Sequence, residues 1–461
     1  MKGYITVQET AERWGVTARQ VQLWCKEGKI PGAQMLSRIW IIPETVERPL
    51  PSKITNNPWR NGGSAMVNGG GGSKHEKITK IIEKETGGKS YKAHKYSLDN
   101  DRSPTEYGED DRTFVWKKRG ETEPPATYKS VELLAKTLAD RGEQVLTYFL
   151  DGSRHVYKVD EMAYLQSGDR SVIYPTIAGQ VGVGICKREE KRVTPEDLMK
   201  EFIISIPSIA DPSGKGGFFE SLSVKLNDST ELARIKESGW KFSTPIPYDV
   251  RTDDRKFEDR GTARIQAAMI EREKEMVKKL VWQGKLNQDN YLVKDGSLEY
   301  RLTKTDRDDD KSFTTFKQNY NWVIGLSKTF NPEACFDKGK ANPGFIAELP
   351  LYHRTPVAYF GSDKEPLAFA VWYVRLRDKS RTRTPFDGIL KVEKILVRDD
   401  EIKNGIETET VDRLSALIIN ERNPTCYGTD TRWANHIYPI YLTERFVKSH
   451  YLSSESFLHL F

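Results

Sequence analysis

Residues 51–75 interrupt the sequence with a stretch, PSKITNNPWRNGGSAMVNGGGGSKH, that has no periodic pattern. It shows neither the 3.6-residue spacing of a helix nor the alternation of a strand. The GGGGS run has the composition of a flexible linker, whether natural or engineered. We therefore expect two folding parts, residues 1–50 and residues 76–461, that are tethered rather than built around one core.

Composition narrows the class of protein without identifying it. A chain of 461 residues with 37% hydrophobic and 30% charged residues is typical of a globular protein with several domains. It contains no run of 18 apolar residues and does not begin with a signal-peptide core, so we expect a cytoplasmic protein with no membrane association. The net charge of +6 is compatible with nucleic-acid binding and does not demonstrate it.

The cysteines favour neither a metal cluster nor disulfides. They lie far apart in the sequence and form no C-x-x-C motif, so we expect buried thiols. The four are Cys25, Cys186, Cys335 and Cys426.

The first 50 residues predict two short helices followed by a hairpin. Thr6 and Glu9 have capping-box spacing for a helix that runs through Trp14, and Thr17 precedes the second helix. This order resembles the winged helix-turn-helix of excisionases and MerR-type regulators, in which the second helix enters the major groove and the wing contacts the DNA backbone. The alternative is a small helical domain that binds protein.

The resemblance assigns DNA contacts to polar side chains on the second helix and on the wing. These DNA-binding candidates are Arg19, Gln22, Lys26 and Arg38.

Two Asp-Gly-Ser triplets in the larger part each follow an apolar run. VLTYFLDGS leads into Asp151 and NYLVKDGS leads into Asp295, so both patterns predict a strand that ends at an aspartate. An aspartate beside glycine is more often a turn former than a catalyst. The two triplets therefore indicate a functional site only in combination with the helix that is predicted between them.

Between them, residues 262–283 predict an amphipathic helix. On a helical wheel Glu273 falls within the apolar stripe, while Glu271 and Glu275 fall on the polar side. A carboxylate on a core-facing stripe is costly unless it is paired, protonated or bound to a metal. Glu273 is thus either one half of a buried ion pair or a third acid that converges with the two aspartates on a divalent cation such as Mg²⁺ or Mn²⁺.

The rest of this part predicts an α/β unit with a mixed sheet flanked by helices. Several stretches in the same order resemble the NurA nuclease family. They are the DGS strand, PTIAGQVG (Pro175–Gly182), the helix with its inward glutamate, LVKDGSL, VIGLSK (Val323–Lys328) and RWANHIYPIYLTERF (Arg432–Phe446).

This resemblance implies an RNase H-like (Piwi-like) mixed-sheet nuclease core, preceded here by the small winged helix-turn-helix. It implies a Mn²⁺-dependent (or Mg²⁺-dependent) single-strand endonuclease and exonuclease that acts on DNA as a homodimer beside a hexameric HerA-type ATPase. It makes Asp151 and Asp295 metal ligands, with Glu273 as the helix ligand and Glu271 or Glu275 as substitutes. His436 would be a ligand or a phosphate-orienting group, and Lys328 would meet the scissile phosphate.

Two function classes follow from these patterns. The first is a metal-dependent DNA nuclease in DNA-end processing, repair or defence against foreign DNA. The second is a DNA-binding regulator or scaffold whose nuclease-like domain is catalytically inactive. A recombinase is a third reading, but the sequence offers no nucleophilic serine or tyrosine motif for it.

Overall fold

The computed structural model divides the chain into two compact units, Met1–Ser73 and Lys74–Phe461. It describes all residues except 1–3, 15, 19–20, 23–24, 26–29, 31–32, 37–38, 44–45, 47–75, 93, 100–114, 118–119, 167–169, 213, 215–216, 252–255, 299–309, 333–335, 338–339, 362–366 and 425–430.

The first unit has a three-stranded antiparallel sheet and a helix. Its elements are β1 (Tyr4–Thr6), α1 (Val7–Trp14), β2 (Gln34–Leu36) and β3 (Ile39–Pro43), with strand order β1-β3-β2. The capping box is confirmed: the Glu9 amide donates to the Thr6 hydroxyl at 3.3 Å and the Thr6 amide donates to the Glu9 carboxylate at 2.7 Å. Beyond Thr17, the described residues Ala18, Val21, Gln22 and Cys25 are helical.

The second unit is a mixed α/β structure. Its strands are β4 (Lys89–Ser90), β5 (Tyr96–Ser97), β6 (Val115–Lys117), β7 (Lys129–Ser130), β8 (Leu146–Gln166), β9 (Arg170–Glu189), β10 (Arg192–Pro207), β11 (Ile246–Tyr248), β12 (Tyr291–Asp295), β13 (Val323–Ser327), β14 (Phe336–Asp337), β15 (Lys340–Ala341), β16 (His353–Arg354), β17 (Ala358–Gly361), β18 (Ala368–Arg375) and β19 (Ile389–Ile395).

Its helices lie between and after these strands. They are α2 (Ile78–Thr86), α3 (Glu132–Arg141), α4 (Phe218–Asn227), α5 (Thr230–Ala233), α6 (Phe257–Trp282), α7 (Asp310–Asn319), α8 (Pro343–Ala347), α9 (Asp399–Asn404), α10 (Thr408–Asn420), α11 (Tyr438–Lys448) and α12 (Ser454–Leu458), with 3₁₀ turns at Ser208–Ala210, Lys236–Ser238, Lys379–Arg381 and Thr431–Asn435. In the described part of the chain, no helix has both the length and the apolar character that crossing a membrane requires.

One large sheet organises the second unit, as the sequence predicted. Its main path is β11-β10-β9-β8-β12-β13-β19-β18-β16-β7. The long strands β8, β9 and β10 form an antiparallel meander, and β12 and β13 then add parallel to β8. Because β12 pairs with only Leu146–Leu150 of β8, the carboxyl-terminal end of β12 lies beside Asp151, well before β8 ends at Gln166.

Glycines on β9 let helices approach both faces of the sheet. A Cβ on Gly179 would lie 3.2 Å from Ile265 of α6, whereas a Cβ on Gly182 would lie 2.8 Å from Val447 of α11. Side chains alternate between the two faces of a strand, so α6 and α11 cover opposite faces. The PTIAGQVG stretch thus has a packing role in the layers that surround Asp151.

Candidate active site

The two predicted aspartates lie side by side on neighbouring parallel strands. Lys294 of β12 is paired in register with Leu150 of β8, which places Asp295 next to Asp151. The Asp151 side chain is buried, and the two carboxyl groups are close enough for each to shift the pKa of the other. The structure therefore brings together two acids that are 144 positions apart in the sequence.

The first triplet does not end a strand, which corrects the sequence-based expectation. β8 continues through Asp151 and Gly152 to Gln166, paired with β9 along its length. Only the second triplet closes its strand: β12 ends at Asp295, and Gly296 adopts a φ of +87°, which favours glycine. The triplet around Asp151 has a different cause, which is the close approach of α6.

A Cβ on Gly152 would lie 2.4 Å from the Glu273 Oε1 atom. Glycine at this position makes room for the glutamate, as glycine inside a strand often does where another group comes close. Glu273 belongs to the buried stripe of α6, as the helical wheel predicted. The substitutes Glu271 and Glu275 are not buried, and they pair with Lys274 and Arg272 on their own helix.

Glu273 nevertheless lies on the other face of the sheet from Asp151. Gly152 faces Glu273, and adjacent strand residues point to opposite faces, so Asp151 points away from α6. The Glu273 carboxylate is 3.0 Å from the Lys294 ammonium, and both side chains are buried. The structure thus shows Glu273 in a buried ion pair, which is one of the two alternatives that the sequence left open. Its role as a metal ligand stays a prediction.

The two aspartates have opposite pKa shifts. Burial, followed by the neighbouring charge of Asp295, raises the pKa of Asp151 well above its ordinary value. Burial alone would also raise the pKa of Asp295, but the charge and hydrogen bond of the Lys328 ammonium hold that pKa below its ordinary value. The pair therefore holds its negative charge mainly on Asp295 and favours a proton on Asp151.

Lys328 links this pair to an acid that the sequence patterns did not reveal. Its ammonium is 2.7 Å from the Asp295 carboxylate and 3.9 Å from the Glu444 carboxylate of α11. Burial raises the pKa of Glu444, but Lys328 and then Lys448 outweigh it and leave that pKa lowered. Lys328 therefore contacts both Asp295 and Glu444, and its positive charge stabilises the two carboxylates.

Glu444 left only a weak signal in the sequence. It lies within RWANHIYPIYLTERF, a stretch in which the histidine is the more conspicuous candidate. Its position beside Asp151 depends on the packing of α11 against β8 and β9, which the sequence pattern of α11 does not contain. The buried neighbours Thr443 and Val447 mark the helix face, but not the strand that it covers.

His436 lies close to the same acids. It is buried, follows the 3₁₀ turn Thr431–Asn435, and its charge helps to lower the pKa values of Asp295 and Glu444. The adjacent Asn435 donates from Nδ2 to the Lys328 carbonyl at 2.7 Å. This turn thus connects the lysine and the histidine to one short segment.

The predicted DNA-binding residues are mostly outside the described residues. Arg19, Lys26 and Arg38 fall there, whereas Gln22 is helical and exposed. The winged helix-turn-helix stays a prediction.

The described residues contain no group of three or more histidine, cysteine, aspartate or glutamate side chains that could hold a metal ion. What they do contain is the Asp151–Asp295 pair, with hard oxygen donors and mutual repulsion. Mg²⁺ is commonly bound through one or two carboxylates, with water and substrate phosphate oxygens completing the shell. The pair fits that smaller kind of site, and a three-acid site is not formed among the described residues.

No protein-family model matches the chain, and no curated protein does. Among solved structures, the crystal structure of the NurA nuclease from Sulfolobus solfataricus is similar to it over 72% of this chain and 92% of that chain, with 11% sequence identity and a TM-score of 0.35. A likeness at this TM-score decides neither the fold nor the chemistry of this chain.

Proposed function

We propose that this protein is a metal-dependent DNA nuclease that hydrolyses phosphodiester bonds, with an RNase H-like core. One observation carries the proposal: the carboxyl groups of Asp151, which is buried, and of Asp295, which is partly buried, lie side by side next to Lys328. A buried acid beside a second acid is costly to a fold, and acids with strongly perturbed pKa values are concentrated at functional sites. A bound divalent cation would neutralise the two carboxylates and remove their mutual repulsion.

Asp151 and Asp295 are the residues that would hold Mn²⁺ or Mg²⁺. When bound, the cation would supply Lewis-acid polarisation of a phosphoryl oxygen. Lys328 offers an ammonium for the negative charge that develops on the phosphate, and His436 offers a second polar group beside Asp295. Glu444 lies 3.9 Å from the same ammonium, so Lys328 is paired with two acids.

The biological setting is proposed from the sequence resemblance alone. It comprises a homodimer, a HerA-type hexameric ATPase as partner, and a role in DNA-end processing or defence against foreign DNA.

A second candidate, a DNA-binding scaffold without activity, has one observation in its favour. Lys294 neutralises Glu273 and Lys328 neutralises Asp295, as in structural ion pairs. This reading leaves the buried carboxyl of Asp151 unexplained.

Cleavage of end-labelled single-stranded and double-stranded DNA with Mn²⁺, Mg²⁺ or EDTA separates the two candidates. We expect Mn²⁺-dependent cleavage by the wild type and a decrease of at least about 100-fold in Asp151→Asn and Asp295→Asn, comparable to the effect of removing other groups that stabilise a transition state. Asp289→Asn is the matched control, because Asp289 is exposed and lies just before the start of the same strand. Equal cleavage by the wild type and both site variants would exclude the proposed site, and no cleavage with either cation would favour the scaffold.

A further inference from the structure

The segment that joins β18 to β19 is rich in arginine and lysine. We name residues 377–388, RDKSRTRTPFDG, the basic loop. β19 pairs antiparallel with β13, and Lys391 is in register with Ser327. The basic loop precedes β19 and therefore lies at the sheet edge where β13 ends and Lys328 follows.

One side chain connects the basic loop directly to the candidate active site. The Gly388 amide donates to Asn435 Oδ1 at 2.5 Å, and Asn435 Nδ2 donates to the Lys328 carbonyl at 2.7 Å. The Lys328 ammonium is in turn 2.7 Å from Asp295. The end of the basic loop is thus fixed relative to the acid pair.

Hydrogen bonds from Arg375 and from two acids of the basic loop fix the backbone of this loop. The guanidinium of Arg375, fully buried, donates to the carbonyls of Ala347 at 3.0 Å and Pro385 at 2.8 Å. Asp378 accepts from the Ser380 amide at 2.9 Å, and Asp387 accepts from the Arg383 amide at 3.2 Å. Both acids of the basic loop therefore serve its own backbone, and a loop fixed in advance loses less entropy when it binds.

Two of its four cationic side chains are already engaged. Lys379 pairs with Glu348 at 2.8 Å, and the Arg377 guanidinium lies 5.2 Å from the centre of the Trp433 ring. Arg381 and Arg383 are exposed, and within the described part of the chain neither forms a salt bridge. They are the cations of this loop that remain available to a ligand.

Phosphate is the ligand chemistry that these two arginines suit. Guanidinium groups bind phosphate oxygens with two parallel hydrogen bonds and carry a smaller hydration cost than ammonium groups. A polyanion that approaches the negatively charged Asp295 and Glu444 meets like charges, so a basic element beside them would offset the repulsion.

We propose that Arg381 and Arg383 bind phosphates of the DNA strand that flank the phosphate at the acid pair. This inference rests on the proposed function and adds to it the element that holds the substrate. The basic loop contributes affinity and register, while the acids and Lys328 act at the reacting phosphate.

The test compares the full-length wild type with Arg381→Ala/Arg383→Ala in binding a fluorescently labelled single-stranded oligonucleotide in EDTA, across a range of salt concentrations. Each phosphate that the protein no longer neutralises lowers the slope of log affinity against log salt by about 0.7, so the slope of the double variant should fall by about 1.4. With Mn²⁺ its KM for cleavage should rise while kcat stays unchanged.

Two further variants separate charge from structure. Arg381→Lys/Arg383→Lys keeps both charges and should retain nearly the wild-type salt slope. Lys191→Ala/Arg192→Ala removes the same charge from exposed residues at the turn and the start of β10, near the start of β8, and should leave affinity and KM unchanged.

The outcomes separate failure of the proposed function from failure of this inference. If the wild type cleaves DNA and the alanine variant keeps the wild-type slope and KM, the basic loop does not hold substrate. An equal decrease in the Lys191→Ala/Arg192→Ala control also overturns the assignment. If the wild type binds DNA through the basic loop but never cleaves it, the nuclease proposal fails and the binding site remains.

Discussion

At the scale of single residues, the opposite pKa shifts of Asp151 and Asp295 give these two residues opposite effects on the stability of the protein as the pH changes. An acid whose pKa is raised on folding lowers stability as pH rises from its unfolded pKa, near 3.9, towards its folded value, and the destabilisation persists above it. Asp295 has the opposite sign, because its depressed pKa adds stability above its unfolded value that disappears as pH falls through its folded pKa.

The first prediction concerns Asp151→Asn, measured by thermal unfolding without divalent cations. We expect stabilisation on the order of 0.5–2 kcal/mol at pH 7, as is common when a strained functional group is removed, with a smaller gain towards pH 4. The stabilisation that Mn²⁺ gives the wild type should disappear. Asp289→Asn should change neither quantity, and a destabilised Asp151→Asn that still responds to Mn²⁺ would contradict the assignment.

The second prediction concerns Lys328→Met. Removal of the ammonium leaves Asp295 with no cation at 2.7 Å, so we expect destabilisation of about 3 kcal/mol at pH 7, as when one partner of a buried pair is removed. Mn²⁺ should recover much of this stability, since a cation at the pair replaces the missing charge. Lys448→Met removes the more exposed partner of Glu444 and should cost less than about 1 kcal/mol in the same denaturant titration. Comparable destabilisation in both variants would contradict the expectation that the more buried Lys328 contributes more to stability than Lys448.

At the scale of elements, the sequence predicted the features that depend on residues close together in the chain. The buried face of α6 is confirmed, because it follows from the spacing of apolar residues within the helix itself. The end of the first strand was wrong: the Asp-Gly-Ser signal for a turn around Gly152 yields to pairing with β9, a partner further along the chain.

The third prediction concerns the contact between β8 and α6. In Gly152→Ala the new methyl group meets the buried Glu273 carboxylate, which must leave Lys294 or push the helix away. We expect destabilisation of about 1–3 kcal/mol in denaturant unfolding, typical of overpacking. Gly344→Ala is the control, since its Cβ would have ordinary contacts only, the nearest at 3.5 Å. Equal stability of Gly152→Ala and wild type would mean that α6 does not press on this strand.

At the scale of the whole molecule, the sequence predicted the acids but not their arrangement. Asp151 and Asp295 are neighbours because two strands far apart in sequence run parallel, and Glu444 joins them only because α11 covers β8 and β9. Glu273 was expected to converge with them, but it lies on the opposite face of the sheet from Asp151, where it pairs with Lys294. Periodicity assigns a face to a helix, and only the tertiary structure assigns its neighbours.

The fourth prediction separates the roles of the two units of the chain. Arg19→Ala/Lys26→Ala should weaken duplex DNA binding and lower its salt slope by about 0.9 for each phosphate that is no longer neutralised, if the first unit is a winged helix-turn-helix. Cleavage of single-stranded DNA should be unchanged, because the acids belong to the second unit. Arg13→Ala, on α1, is the control in the same anisotropy titration. Unchanged duplex affinity in the double variant would favour a protein-binding role for that unit.

The distance in sequence between the members of the acid site has a consequence during synthesis. When the β8–β9–β10 meander emerges from a ribosome, Asp151 is present, but Asp295 and Lys328 are still more than 80 residues away from the end of β10. Until translation reaches β12, the part of β8 that leads to Asp151 lacks this neighbouring strand, so the sheet can extend beyond the meander only after residue 295 has been made.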